Sequence, residues 1–296
     1  MRRPGFTSVA LITLALGIGA NTAIFSFANA LFFQRPALVA RPEQIATVIG
    51  FRDGRLGSYW LSYPDYVDYR DRNSVFEDLA AKAQVWLFLS SGNGSFEVDG
   101  CAVSSNYFSV LGVKPLLGRF FLPEDDTTSG EHSVAILSYQ IWQKQFGGDP
   151  DVVGKTIRMN RVLFTVIGVA PEGFRGLYTG SPEKLWVPSV MAELDKASNA
   201  PSPLLNRENA WFDLIGRLKP GSTIDQARTE LVAIAGQLET AYPETNKNLS
   251  VYLAPVKGIY PFTRDKELEQ SSLLIAVVVC LLLIACANLA GLLLAR

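Results

Sequence analysis

Only a few residues in this sequence have the types and spacing that catalysis or ligand binding uses. Gly148-Asp-Pro-Asp-Val-Val-Gly154-Lys155-Thr156 comes near a phosphate-binding loop, in which backbone N–H groups and a lysine cradle a nucleotide's phosphates. That motif spaces its glycines by four residues, whereas five intervene here. The loop should also open a helix whose N-terminus meets the phosphate, but Ile157-Arg158-Met159-Asn160 leads into a hairpin pattern. An ordinary turn is the expectation. His132 is the only histidine, and within Ser129-Gly-Glu-His-Ser133 it reads as a loop residue. Triads and zinc sites need histidine among further ligands or partners. Glu124, Asp125 and Asp126 offer carboxylates to a hard cation. A calcium site needs about six to eight oxygens, and no spaced ligand loop surrounds them. They read as a solvated acidic turn. Cys101 stands alone in the central region, while Cys280 and Cys286 fall in an apolar stretch, so no disulfide framework is expected. No catalytic residue, cofactor site or metal site emerges, and the chain does not read as an enzyme.

Elements that could position any function must be sought in the apolar pattern. The 296 residues carry a formal charge of -1 and 19% charged residues, so no basic field exists to recruit nucleic acid. From Phe6 to Phe33 there is no charged residue, and the same holds from Ser271 to Ala295. A helix of about 20 apolar residues crosses a hydrocarbon core of about 30 Å, so both stretches are long enough to span. Arg2, Arg3 and the Ala28-Asn29-Ala30 triplet suggest a signal peptide for the first stretch. A signal's apolar region runs only about 7 to 15 residues, which favours an uncleaved anchor. Arg2, Arg3 and Arg296 mark the outer flanks of the two stretches, which puts both termini in the cytoplasm. The layout expected is a cytoplasmic 1–5, a span at 6–33, an extracytoplasmic domain at 34–270 and a span at 271–295.

Each stretch also repeats small residues every four positions: Ala15, Gly19 and Ala23 in the first, Ala287, Gly291 and Ala295 in the second. Such faces let helix backbones approach closely in lipid, and Asn21 and Asn288 add amides that seek partners across a helix interface. These eight residues are the helix-packing candidates.

The central region reads as an α+β domain. Ile45 to Phe51 is a strand pattern, and Ser62 with Asp65 and Ser74 with Glu77 are capping patterns, which predict a helical region from Tyr63 to Ala83 broken near Asn73. Val85 to Ser90 and Phe96 to Val103 are strand patterns, the second interrupted by a turn signal at Asp99-Gly100. Near the end of the domain, Trp211 to Leu218 is followed by a turn, a Thr223/Gln226 capping box, a helix to Tyr242 and a strand at Leu249 to Ala254. Two distant strand–helix–strand units suggest a split, ferredoxin-like part, 40–117 with 210–257. Residues 118–209 form an inserted smaller α/β part, with a strand at Val134 to Leu137, a helix capped by Ser138 and a hairpin from Lys155 to Val169. Trp60, Trp86, Trp142, Trp186 and Trp211 are expected in core or interface packing.

Several segments carry a family resemblance. Leu14-Ala-Leu-Gly-Ile-Gly-Ala-Asn-Thr-Ala-Ile-Phe-Ser26 resembles the first span of MacB-like, FtsX-family ABC transporter permeases, in particular the duplicated orphan permeases of acidobacteria. The likeness recurs at Ser62-Tyr-Pro-Asp-Tyr66, at VSSNYFSVLGVKPLLGRFFL from Val103 to Leu122, and at LSYQIWQKQFGGDP, VVGKTIRMN and FTVIG between Leu137 and Gly168. Ile284-Ala-Cys-Ala-Asn-Leu-Ala-Gly-Leu-Leu-Leu-Ala-Arg296 resembles the second span. The resemblance implies an inner-membrane permease subunit whose periplasmic core domain moves as a separate cytoplasmic ABC ATPase subunit turns over. Efflux or envelope signalling would be the output, and a periplasmic adaptor a partner. Family members carry at least two further spans, so the resemblance implies remaining permease spans or a second permease copy. A truncated frame and one half of a split permease both stay open. The alternative is a membrane-tethered extracytoplasmic interaction domain without transport activity of its own.

Overall fold

A computed structural model of the protein describes residues 36–256, except 54, 57–59, 92–93, 128–132, 179–181 and 193–204, and elsewhere only 15, 18, 19, 22, 26, 260, 261 and 291. The chain divides into two compact units, 1–34 with 257–296, and 35–256. The uncharged stretches at 6–33 and 271–295 therefore lie almost wholly outside the described residues. Among the described residues no helix is long and apolar enough to cross a membrane.

In chain order the elements of the 35–256 unit are β1 (Ile45–Arg52), β2 (Arg55–Leu56), β3 (Leu61–Ser62), α1 (Tyr63–Arg72), β4 (Phe76–Ser91), β5 (Gly94–Val103), α2 (Tyr107–Leu111), β6 (Leu117–Gly118), β7 (Val134–Leu137), α3 (Tyr139–Phe146), β8 (Thr156–Met159), β9 (Val162–Val169), β10 (Leu185–Pro188), β11 (Ala210–Leu218), α4 (Ile224–Ala241), α5 (Pro243–Asn246) and β12 (Leu249–Pro255). Capping fixes where the long helices start. Ser62 accepts from the Asp65 N–H while Asp65 accepts from the Ser62 N–H, both at 3.2 Å. Thr223 and Gln226 do the same for α4, at 3.2 and 2.9 Å. Such caps satisfy the orphan N–H groups of a first helical turn.

Two arrangements share the sheet. The first runs in the order β12-β1-β11-β4, all neighbours antiparallel, with α1 following β1 and α4 following β11. This is the order of two interlocked βαβ units. Tyr66 and Tyr69 of α1 and Ala227, Leu231, Ile234 and Leu238 of α4 share a core with Ala46, Val48, Leu79, Ala81, Phe212 and Leu214. Because strand side chains alternate between faces, Thr47, Lys82, Ile215 and Arg217 point to the opposite face. The second arrangement is a ring: β4 pairs β5, β5 pairs β10, β10 pairs β7, β7 pairs β9, β9 pairs β8, and β8 pairs back to β4. Leu87, Leu89, Val98, Met159, Phe164, Val166 and Val187 fill this small barrel, whose closure leaves no free strand edge around it. Two of its six strands, β4 and β5, come from the 40–117 range, so the insert completes its barrel with borrowed strands.

The structure corrects four sequence expectations. The helix predicted to Ala83 ends at Arg72, because the Asn73 side-chain amide folds back to the Tyr69 and Arg70 carbonyls at 2.8 and 2.9 Å. Ser74 caps nothing; its N–H and hydroxyl both donate to Glu230 of α4, each at 2.8 Å. Asp99-Gly100 is no turn but lies inside β5, opposite Trp86 and Val85. Glycine is needed there because a Cβ would come within 2.6 Å of Leu87 Cδ1. The acidic turn is not solvated: Asp125 and Asp126 are buried, Asp125 against Arg119, Asp126 against the Ser189 hydroxyl at 2.8 Å and the Ser105 and Val190 N–H groups. Of the tryptophans, Trp186 is fully buried, whereas Trp60 and Trp86 are exposed by 52% and 55%, which leaves interface packing open to them.

Candidate functional site

The first and last long strands of the domain lie together. β1 and β12 are antiparallel neighbours, with Ala46 opposite Pro255, and the Val256 N–H donates to the Ile45 carbonyl at 3.2 Å. Neighbouring strands lie about 4.8 Å apart, so Ile45 and Val256 sit side by side.

A buried arginine sits over this root. Arg217, near the end of β11, pairs in register with Ile45 and is 5% exposed. Its Nε donates to the Val110 carbonyl of α2 at 2.8 Å, one terminal nitrogen to the Ala40 carbonyl at 2.7 Å, and the other to the Arg41 carbonyl and Gln44 side chain, each at 3.4 Å. No carboxylate is among these acceptors. Burial, and then the neighbouring Arg41, push its pKa down, although a guanidinium stays charged under all ordinary conditions. The Ala40 N–H also donates to the Leu111 carbonyl at 2.9 Å, so the entry segment is stitched to the C-terminal end of α2 twice. Gly112, at φ 66°, lets that end pack closely: a Cβ there would lie 2.6 Å from Ala40 Cβ.

From α2 the packing continues into the barrel wall. Phe108 stacks on Phe120 at 3.8 Å and meets Trp186 of β10 edge-on at 5.4 Å, with Phe174 against both. Trp186 Nε1 donates to Glu183 at 2.5 Å, as does the Tyr107 hydroxyl at 3.1 Å. Glu183 pairs with Lys82 of β4 at 2.6 Å, both side chains nearly buried. Burial alone would lower the Lys82 pKa, but the Glu183 carboxylate raises it, so Lys82 stays charged. Lys82 also lies 4.9 Å from the Tyr178 ring centre, and Tyr178 shares a 2.5 Å hydrogen bond with Thr47 of β1. Burial pushes the Tyr107 and Tyr178 hydroxyls up, so both stay neutral. This network contains nothing poised for bond chemistry. It ties three layers together.

Farther along the same face the wall is bare. Trp86 and Phe88 of β4 are 55% and 51% exposed, and Leu163 of β9 is 56% exposed. Ser90 pairs with Arg158 and Arg158 with Leu163, which puts all of them on the outside of the ring. Grouped exposed apolar side chains rimmed by Glu97 and Arg158 have the composition of a contact surface.

Of the helix-packing candidates, Ala15, Gly19 and Gly291 are helical and exposed, and a Cβ at Gly19 or Gly291 would meet nothing within 4 Å. Ala23, Asn21, Ala287, Asn288 and Ala295 lie outside the described residues, as does His132. Lys155 pairs with Asp149 in the turn before the 156–169 hairpin, and no helix follows it. Among the described residues no group of three His, Cys, Asp or Glu side chains could hold a metal ion. Sequence reasoning passed over Arg217, Lys82 and Glu183, although a lone charge inside Ile215-Gly-Arg-Leu218 or Ala80-Ala-Lys-Ala83 is itself a signal that a buried partner waits elsewhere.

The family model of the MacB-like periplasmic core domain matches residues 7–234. The chain belongs to that family. Relatives include the macrolide export ATP-binding/permease proteins MacB of Chlorobaculum tepidum, 40% identical over 114 residues, and of Bdellovibrio bacteriovorus, 25% identical over 179. The matched stretches cover 38% and 60% of this chain but only 16% and 27% of those proteins. Among solved structures, the periplasmic region of MacB from Actinobacillus actinomycetemcomitans superposes with a TM-score of 0.52 at 16% identity, covering 83% of this chain and 98% of that one. The extracellular domain of the noncanonic ABC-type transporter YknZ gives 0.52 at 17% identity, covering 70% and 99%. At such identities these structures speak for the fold, which is the mixed α/β sheet of a MacB-like core domain. The family is that of an extracytoplasmic domain carried by a membrane protein.

Proposed function

We propose that the chain is the anchored part of a MacB-like ABC permease. Helices at 6–33 and 271–295 cross the inner membrane with both termini in the cytoplasm, and the core domain moves outside it as a separate ATPase subunit binds and hydrolyses ATP. The observation that carries this reading is the pairing of β1 with β12, the first and last strands of the domain, sealed by the Val256-to-Ile45 hydrogen bond. A domain rooted on two adjacent connections feels any relative shift of them at a sheet edge rather than through a loose tether. The small-residue faces at Ala15-Gly19-Ala23 and Ala287-Gly291-Ala295 serve close packing of the spans with each other, with remaining permease spans or with a second permease copy. The bare wall around Trp86 and Phe88 receives a periplasmic adaptor, and the output is efflux or envelope signalling. This chain performs no bond chemistry.

Two measurements test the proposal. A single cysteine at the exposed Gln145, with the native cysteines replaced, should react with an impermeant maleimide in intact spheroplasts. Labelling only after lysis would reverse the orientation. In native membranes the chain should co-purify with an ATPase whose hydrolysis rate changes when residues 35–256 are removed. An unchanged rate would favour the second reading, a tethered interaction domain, to which the exposed aromatic wall is equally suited.

A further inference from the structure

The entry segment and the barrel share no strand pairing, yet one side chain connects them. Arg217 holds the Ala40 and Arg41 carbonyls of the entry segment and, through Nε, the Val110 carbonyl of α2. A guanidinium presents five N–H donors in a rigid fork, so these contacts keep a fixed mutual geometry that a flexible amine would not impose. α2 is a helix of five residues, and the ring of its Phe108 lies against Phe174 and against Trp186 in the barrel wall. Trp186 is locked in turn through Glu183 to Lys82. Packed aromatic and ionic contacts of this kind shift as units rather than deform continuously.

We infer that Arg217 is the positioning residue that passes a displacement of the entry segment through α2 to the barrel wall at Trp186. The role rests on the permease reading, because it gives the moving spans a rigid link to the far part of the domain. The arginine is well suited to it: three of its four acceptors are backbone carbonyls, which no side-chain rotation can release. Its charge is offset by helix-end and loop dipoles instead of a carboxylate that could leave with its own segment.

Hydrogen exchange of the full chain in lipid nanodiscs tests the link. Arg217→Lys keeps the charge but can reach one carbonyl at a time. Exchange should rise about tenfold or more over 36–44, 107–113 and 182–188 together, since a charge-assisted hydrogen bond is lost. Peptides in α4 and β12, which the link does not touch, should exchange as in wild type. Should that variant fail to fold, Arg217→Met, which removes reach and charge together, gives the same comparison. Loosening of 36–44 alone would overturn the inference by making Arg217 a local clamp. Uniform loosening of the whole domain would overturn it by making Arg217 an ordinary core residue. The expected pattern, combined with no exchange change at 36–44 on adding ATP to the complex with its ATPase, would support the link and overturn the permease reading.

Discussion

β4 is one strand with two environments. From Leu79 to Ala83 it is covered on both faces, by α1 on one side and by Tyr178 and Glu183 on the other. From Gln84 to Ser90 it alternates strictly, with Val85, Leu87 and Leu89 inside the barrel and Trp86, Phe88 and Ser90 facing out. The first half is fixed by a nearly buried ion pair, the second by apolar filling and strand pairing alone. Charges are taken out of water in the covered half, whereas the open half leaves apolar side chains exposed. The difference teaches that the covering, rather than the strand's own propensity, divides the roles.

The sharpest way to break the comparison is Glu183→Ala. It strands Lys82 without its counter-charge and should cost about 3 to 5 kcal/mol, measured by urea unfolding of the domain, whereas Lys82→Met with Glu183→Leu should cost less. A loss below about 1 kcal/mol for Glu183→Ala would mean that the covered half is not charge-fixed. Asp126 gives a smaller effect with a defined sign. Burial raises its pKa from the ordinary 3.8 to about 6, so the folded chain holds this proton more tightly than the unfolded one. Its stabilising contribution is complete below the unfolded value and is lost as pH rises through about 6. Between pH 7 and pH 5 the group should add about 1 kcal/mol, an increment that Asp126→Asn removes. Identical pH dependence in wild type and variant would contradict that assignment. The smallest change is expected at the open half. Trp86→Ser and Phe88→Ser should each shift stability by about 0.5 kcal/mol or less, yet both should reduce photocrosslinking from position 163 to any periplasmic partner. A large loss of stability with crosslinking intact would make the wall a core in disguise.

The same contrast explains what could be read from the chain. Val85 to Ser90 alternates because one face is wet, and it reads as a strand. Leu79 to Ala83 has no alternation because both faces are covered, and its Ala-Ala-Lys-Ala run imitates a helix. The Thr223/Gln226 box and the Asn160-Arg161 turn, with φ of 45° and 70°, are local chemistry and read correctly. Arg217 could not be read, since its acceptors Val110 and Ala40 lie 107 and 177 positions away. The burial of Asp125 and Asp126 was hidden likewise, for Ser189 sits 63 positions beyond Asp126. The ring closure depends on two residue pairs between β4 and β8, which no periodicity announces.

The adjacent connections at β1 and β12 have a consequence for modularity. Since its first and last strands, β1 and β12, are neighbours, the strand core of the domain begins and ends at one position of the sheet. Residues 35–256 should be transplantable as a cassette into a short extracytoplasmic loop of an unrelated membrane protein, without linkers and without prising the flanking helices apart. The same feature lets a domain of this kind diverge in sequence independently of the segments that flank it.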